Sequence, residues 1–212
     1  MNEFKSKEEL YFSYYLEELK ESGFIDDWGY EIHKWVLTDK VEMVYLKMMK
    51  SKTKADSKFL LHPSSITSDF TVFWNRKAEN IFYSNPNIPV KDINKIPFVL
   101  KHIKPISLIS ELESKQAYTF KANTSDVSFP YKQKFVYDKL NIFIQKIVPF
   151  NLKPKPVSLF YNTFVPKKAL EDEVYKQRVK KKDKVIHSPG DSKFKFTPRT
   201  LEQFLIEADK NK

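Results

Sequence analysis

In the segment ISLISELESK, residues 106–115, apolar and charged side chains alternate with a period of two. A strand puts residues i and i+2 on one face. Ile106, Leu108 and Leu112 therefore share one side, and Glu111, Glu113 and Lys115 share the other. A strand is predicted over about 106–120. The stretch PYKQKFVYDKL (130–140) follows and predicts a helix with Pro130 in its first turn. NIFIQKIVP (141–149) then reads as a buried strand closed by Pro149.

Upstream, SKEELYFSYYLEELKES (6–22) predicts an amphipathic helix. Ser6 is its N-cap, Glu9 completes a capping-box pattern, and Gly23 ends it. Phe12, Leu16 and Leu19 recur at helical spacing, and Glu9 lies on the same stripe, so an acid points along the buried face. Segments 28–37 and 41–49 read as strands, paired as a hairpin through Thr38-Asp39-Lys40, and the Lys/Ser-rich stretch 50–58 as an exposed loop. In ITSDFTVFW (66–74), Phe70, Val72 and Trp74 alternate with Asp69, Thr71 and Phe73, a strand whose polar face carries Asp69. Residues 75–105, rich in Asn and Pro, read as an insertion.

A chain of 212 residues can bury a sizeable core. The expected division is a core over 1–150 and a Pro/Lys-rich arm over 151–212, with a short helix over TLEQFLIEADK. The apolar residues of the arm are too scattered for a second core. The sequence has no cysteine, which excludes disulfides, thiolate chemistry and Cys-based zinc sites, and its four histidines lack ligand spacing. The first residues lack the apolar core of a signal peptide, and no apolar run reaches bilayer length, so a reducing, soluble compartment and no membrane partner are expected. A formal charge of +10 favours a polyanionic partner, although a basic balance also serves plain solubility.

A phosphodiester is a stable anion. Its hydrolysis needs charge withdrawn from the phosphate and a water activated, and carboxylates holding Mg²⁺ do both. Glu113 and Lys115 at i and i+2 would set a ligand and a cation side by side, with Glu111 one step away. If a neighbouring strand brings Asp69 alongside, two carboxylates can grip one ion. Taken singly, E-x-K is also the pattern of a solvated sheet face, and Asp69 that of a turn. The aromatic runs YFSYY and FKFTP suit core packing or base stacking, and KQRVKKKDK (176–184) suits a DNA backbone or a solvated tail.

The order of helix with buried acid, strands, Asp strand, E-x-K strand, helix and strand resembles the PD-(D/E)XK nuclease superfamily over about residues 6–150. SITSDFTVFW and ELESK are similar to its two acidic motifs, and Gln133 and Tyr137 in QKFVY match the Q-x-x-x-Y of RecB-like members. Residues 123–150 are also similar to small phage-encoded nucleases of this superfamily. The resemblance implies an α/β fold, a restriction-endonuclease-like αβββαβ core with a central mixed sheet flanked by helices. It implies metal ligation by Asp69 and Glu113, with Glu9 supporting from the first helix and Glu8 as the rival position. Lys115 would act on the nucleophile or transition state. Ser68 stands where the family has Pro, and Ser114-Lys115-Gln116 lacks the Gly that often follows the Lys.

The expected protein is thus a Mg²⁺- or Mn²⁺-dependent phage DNA-processing endonuclease, cytoplasmic, in the host cytoplasm if phage-encoded, with the virion as the other location. Gln133, Tyr137, Lys134, Arg178, Lys180 and Lys181 would meet DNA, and a homodimer or phage-particle partners are compatible with it. The alternative is a non-catalytic DNA-binding or virion protein with the same fold.

Overall fold

Helix α1 (Lys7–Glu21) starts where the capping box predicts. Ser6 Oγ accepts from Glu9 N at 3.2 Å, while Glu9 Oε2 accepts from Lys5 N at 2.8 Å, so two otherwise orphaned donors are satisfied. Gly23, at φ 72°, ends the helix in the left-handed region that glycine enters without penalty. Ser6→Ala is expected to lower stability by about 1 kcal/mol, read as a reduced urea midpoint with an unchanged slope.

The protein is described from a computed structural model over residues 4–84, 96–100, 108–114, 124–150, 159–177 and 197–210. After α1 come β1 (Ile25–Tyr30), β2 (Lys34–Thr38), β3 (Val41–Met48), β4 (Thr53–Leu61), β5 (Ser64–Thr67), β6 (Phe70–Trp74) and β7 (Ile109–Ser114). Then follow α2 (Thr124–Leu140), β8 (Ile144–Ile147), α3 (Leu159–Asn162), α4 (Lys167–Glu171) and, last, α5 (Leu201–Lys210). The architecture is mixed α/β. A four-stranded mixed sheet runs in the order β1-β6-β7-β8, with β6 antiparallel to both neighbours and β8 parallel to β7.

The two sheet faces carry different cores because strand side chains alternate. Phe70, Val72, Trp74 and Leu112, all 1 % exposed or less, pack with Tyr11, Phe12, Tyr15, Leu16 and Leu19 of α1. On the other face Ile144 packs with Phe129 and Val136 of α2 and with Leu37 and Ile66 of the β2–β5 pair. Helices thus cover both faces.

Four expectations change. The segments 28–37 and 41–49 do not pair with each other: β2 pairs with β5 and β3 with β4, so both belong to one long antiparallel ribbon folded between β1 and β6. The Lys/Ser-rich stretch 50–58 is mostly strand β4 rather than loop, because cross-strand hydrogen bonding needs no apolar pattern. Helix α2 begins at Thr124, which leaves Pro130 inside it rather than in its first turn. The stretch beyond Lys153 is no free arm where it is described: Leu159, Phe160, Phe164, Tyr175, Leu201 and Phe204 are buried in the α1 core. Tyr15 stacks on Phe164 at 4.3 Å between centroids and donates to Thr163 Oγ1. The insertion is likewise anchored, with Phe82, Tyr83 and Phe98 buried and Gln145 holding both Val99 N and Pro97 O at 2.7 Å.

Asp172 ties the C-terminal segment back to α1. Its carboxylate accepts from Val174 N, Tyr175 N, Tyr11 Oη and Lys7 Nζ. Burial opposes ionisation, but the two backbone N–H groups and the Lys7 ammonium outweigh it and hold the carboxyl below its ordinary value of 3.8. A depressed carboxyl stabilises the fold fully above that value, and the contribution drains away as pH falls through the lower folded one. Asp172→Asn should therefore reduce the urea midpoint at pH 7, and the difference from the unaltered protein should shrink as the pH drops below 3.8.

Candidate active site

Asp69 sits where the ribbon leaves the sheet. The β1–β6 ladder ends at Tyr30 opposite Phe70, and β2–β5 resumes at Lys34 opposite Thr67. Between them Glu31 N donates to Asp69 O at 2.9 Å and Ser68 N to His33 O at 3.3 Å. Glu31 adopts φ 51°, a left-handed backbone that costs a non-glycine residue about 1 kcal/mol or more. Strain, a bend and an acid coincide at one break in the ladder.

Directly across β6, the register pairs Thr71 with Glu111 and Phe70 with Leu112. The paired register ends there; the next residues along the two strands are Asp69 and Glu113, and position 113 pairs on its other side with Lys146 of β8. Thr71 meets Glu111 only because β6 and β7 are neighbours, and Asp69 and Glu113 each stand two residues beyond that pair along the chain.

Glu111, fully buried, fastens this corner. Ser68 Oγ and Thr71 Oγ1 donate to its Oε2 at 2.9 and 2.8 Å, and His33 Nδ1 lies 2.9 Å from Oε1. Charge-assisted hydrogen bonds of this kind are what allow a carboxylate to sit out of water. Ser68 and Thr71 bracket Asp69, so Glu111 fixes the backbone on both sides of it. Sequence reasoning placed Glu111 on the polar face, one step from Glu113 and Lys115, and gave it no buried role; its donors, at positions 33, 68 and 71, gave no local signal.

The α1 side of the same corner is also acidic. Glu9, 7 % exposed, accepts from Tyr30 Oη at 2.7 Å, and Glu8 beside it is 5 % exposed. Lys5 pairs with Glu31, whose carboxylate raises the Lys5 pKa against the opposing effect of burial, with Glu9 and Asp69 adding to it. Burial first, and then the Glu9 carboxylate it donates to, push the Tyr30 hydroxyl well above its usual range. Glu9, Glu31 and Asp69 therefore act electrostatically on one ammonium. Lys5 and Glu31 belong to no motif, and the sequence alone does not single them out.

On α2, Gln133 donates from Nε2 to Ile144 O at 2.6 Å, so its amide joins helix to sheet. Lys134 and Tyr137 are exposed on the same helix. Glu113 lies within β7, and nothing is described of its side chain. Lys115, Arg178, Lys180 and Lys181 lie outside the described residues, as does most of the basic run 176–184. Among the described residues no group of three or more His, Asp and Glu could hold a metal ion, and no helix is long and apolar enough to cross a membrane. No protein-family model, no curated protein and no solved structure matches the chain.

Proposed function

We propose that the chain hydrolyses DNA phosphodiester bonds with Mg²⁺ or Mn²⁺ on a restriction-endonuclease-like αβββαβ core. The observation that carries this reading is the register of β6 and β7, which ends at Phe70 opposite Leu112, so that the next residues along the two strands are Asp69 and Glu113. The element order α1, β1, β6, β7, α2, β8, with one antiparallel strand inside an otherwise parallel set, supports it.

The donor set fits a hard cation, since Asp69 and Glu113 offer carboxylate oxygens and no soft ligand is near in sequence. Bound there, Mg²⁺ would withdraw charge from the scissile phosphate. The chain's own groups then divide the remaining work. Lys115, two residues beyond Glu113, orients the attacking water or balances charge on the transferring phosphoryl group. Glu9, through Tyr30 and the Lys5 backbone, holds the α1 end of the corner in place, and Glu111 does so from below Asp69. Tyr137 and Lys134, exposed on α2, face the DNA, while Gln133 fixes that helix to β8.

The test is nicking of supercoiled plasmid and of branched DNA by purified protein with Mg²⁺ or Mn²⁺. Metal-dependent strand breaks, abolished by chelation, are expected. DNA binding without cleavage under either metal would leave a non-catalytic DNA-binding protein instead.

A further inference from the structure

The β3–β4 ribbon is exposed along its whole length, apart from partial cover at Asp56. An isolated two-stranded ribbon is marginal in water, so its side chains need a reason for standing there. Between Val41 and Leu61 it carries Lys47, Lys50, Lys52, Lys54 and Lys58 against Glu42 and Asp56. The register sets Lys47 directly opposite Lys54, and Lys58 opposite Met43, on one face of the ribbon. Like charges directly opposite destabilise a strand pair. Lys47 is only partly offset by Asp56, at 3.7 Å. An anion lying along that face would relieve the repulsion.

We propose that the β3–β4 ribbon docks in the major groove of duplex DNA, with the face of Lys47, Lys54 and Lys58 against the phosphates. The inference rests on the nuclease reading for the identity of the polyanion and deepens it by naming a double-stranded substrate. Dimensions agree. Eight strand residues span about 27 Å, roughly eight base pairs, and the B-form major groove admits a two-stranded ribbon. The deep, narrow major groove of duplex RNA does not. Only the β2–β5 ladder separates the ribbon from Asp69 along the chain, so a duplex held by one is within reach of the other.

The opposite face bears Val44, Leu46 and Met48, 73, 73 and 87 % exposed, and invites a second copy of the chain as the rival occupant. That face measures roughly 27 by 10 Å, on the order of 300 Å², against about 800 Å² per partner in a standard stable interface. It is too small to hold a dimer alone.

The test compares the full chain with its Lys47→Glu/Lys54→Glu/Lys58→Glu variant for binding to labelled duplex and single-stranded DNA in EDTA, where cleavage is absent. A milder Lys→Gln triple guards against misfolding, checked by circular dichroism. Duplex affinity should fall by about tenfold or more, and the slope of log affinity against log salt should flatten by about 2.7, or 0.9 for each phosphate no longer neutralised. Single strands should lose less, and duplex RNA should not compete. Unchanged duplex affinity, or equal loss for single strands, overturns the proposal. So does a dimer that Val44→Ser/Leu46→Ser/Met48→Ser dissolves while the lysine variant still binds DNA. The two readings fail separately. Duplex binding that depends on the lysines, with no cleavage under any metal, removes the nuclease and keeps the ribbon; metal-dependent cleavage with binding indifferent to the lysines does the reverse.

Discussion

Asp69→Ala and Glu113→Gln are each expected to cut DNA cleavage by about a hundredfold or more, because even outer partners of a metal site cost 10- to 100-fold when removed. Duplex affinity in EDTA should stay within about twofold, since phosphate contacts and not these acids supply most of it. Asp69 is partly exposed and outside the regular ladder, so its loss should not unfold the sheet. A robust activity left untouched by both changes would remove the hydrolytic assignment. A combined Asp69→Ala/Glu113→Gln protein should be no worse than the poorer single variant, as expected for groups that act as a unit.

Glu111→Ala carries the largest expected cost in stability, about 3–5 kcal/mol, the range for breaking a buried charged network from one side. The alanine would orphan the Ser68 hydroxyl, leave the Thr71 hydroxyl only its 3.2 Å contact with His33 Nδ1, both on residues with no exposure, and leave a void beneath β6. Glu111→Gln keeps the volume but cannot accept from every donor, so about 1–2 kcal/mol is expected. Urea denaturation separates the two. At temperatures where Glu111→Gln remains folded, its cleavage should still fall, because the backbone around Asp69 loses its clamp. A midpoint shift under about 0.5 kcal/mol for Glu111→Ala would mean that the carboxylate is not the fastener of this corner.

Helix α1 and strand β6 were legible in the sequence because each signals locally: Ser6 and Glu9 bracket a helical start, and Phe70, Val72 and Trp74 alternate strictly. The β3–β4 ribbon was half legible. With no core behind it β4 has no apolar period, and its lysines read as a loop. Pro130 misled for a related reason, since a first-turn preference says nothing of a helix already begun at Thr124. The burial of Phe160, Phe164, Tyr175 and Phe204 could not be read, because their partners on α1 stand far away along the chain. The same distance hid the corner at Asp69. Its acid was visible as a motif, whereas His33, Glu31, Lys5 and the buried Glu111 acquire their roles only when the ribbon folds back.

The long-range packing of α1 also bears on synthesis. Phe12 leaves the ribosome some 190 residues ahead of Leu201 and Phe204, which belong to the same core. At 5–20 residues per second that interval lasts roughly ten to forty seconds. During it the apolar stripe of the first helix has only part of its cover, so the nascent protein should depend on chaperone shielding at the ribosome more than a fold closed by local contacts would.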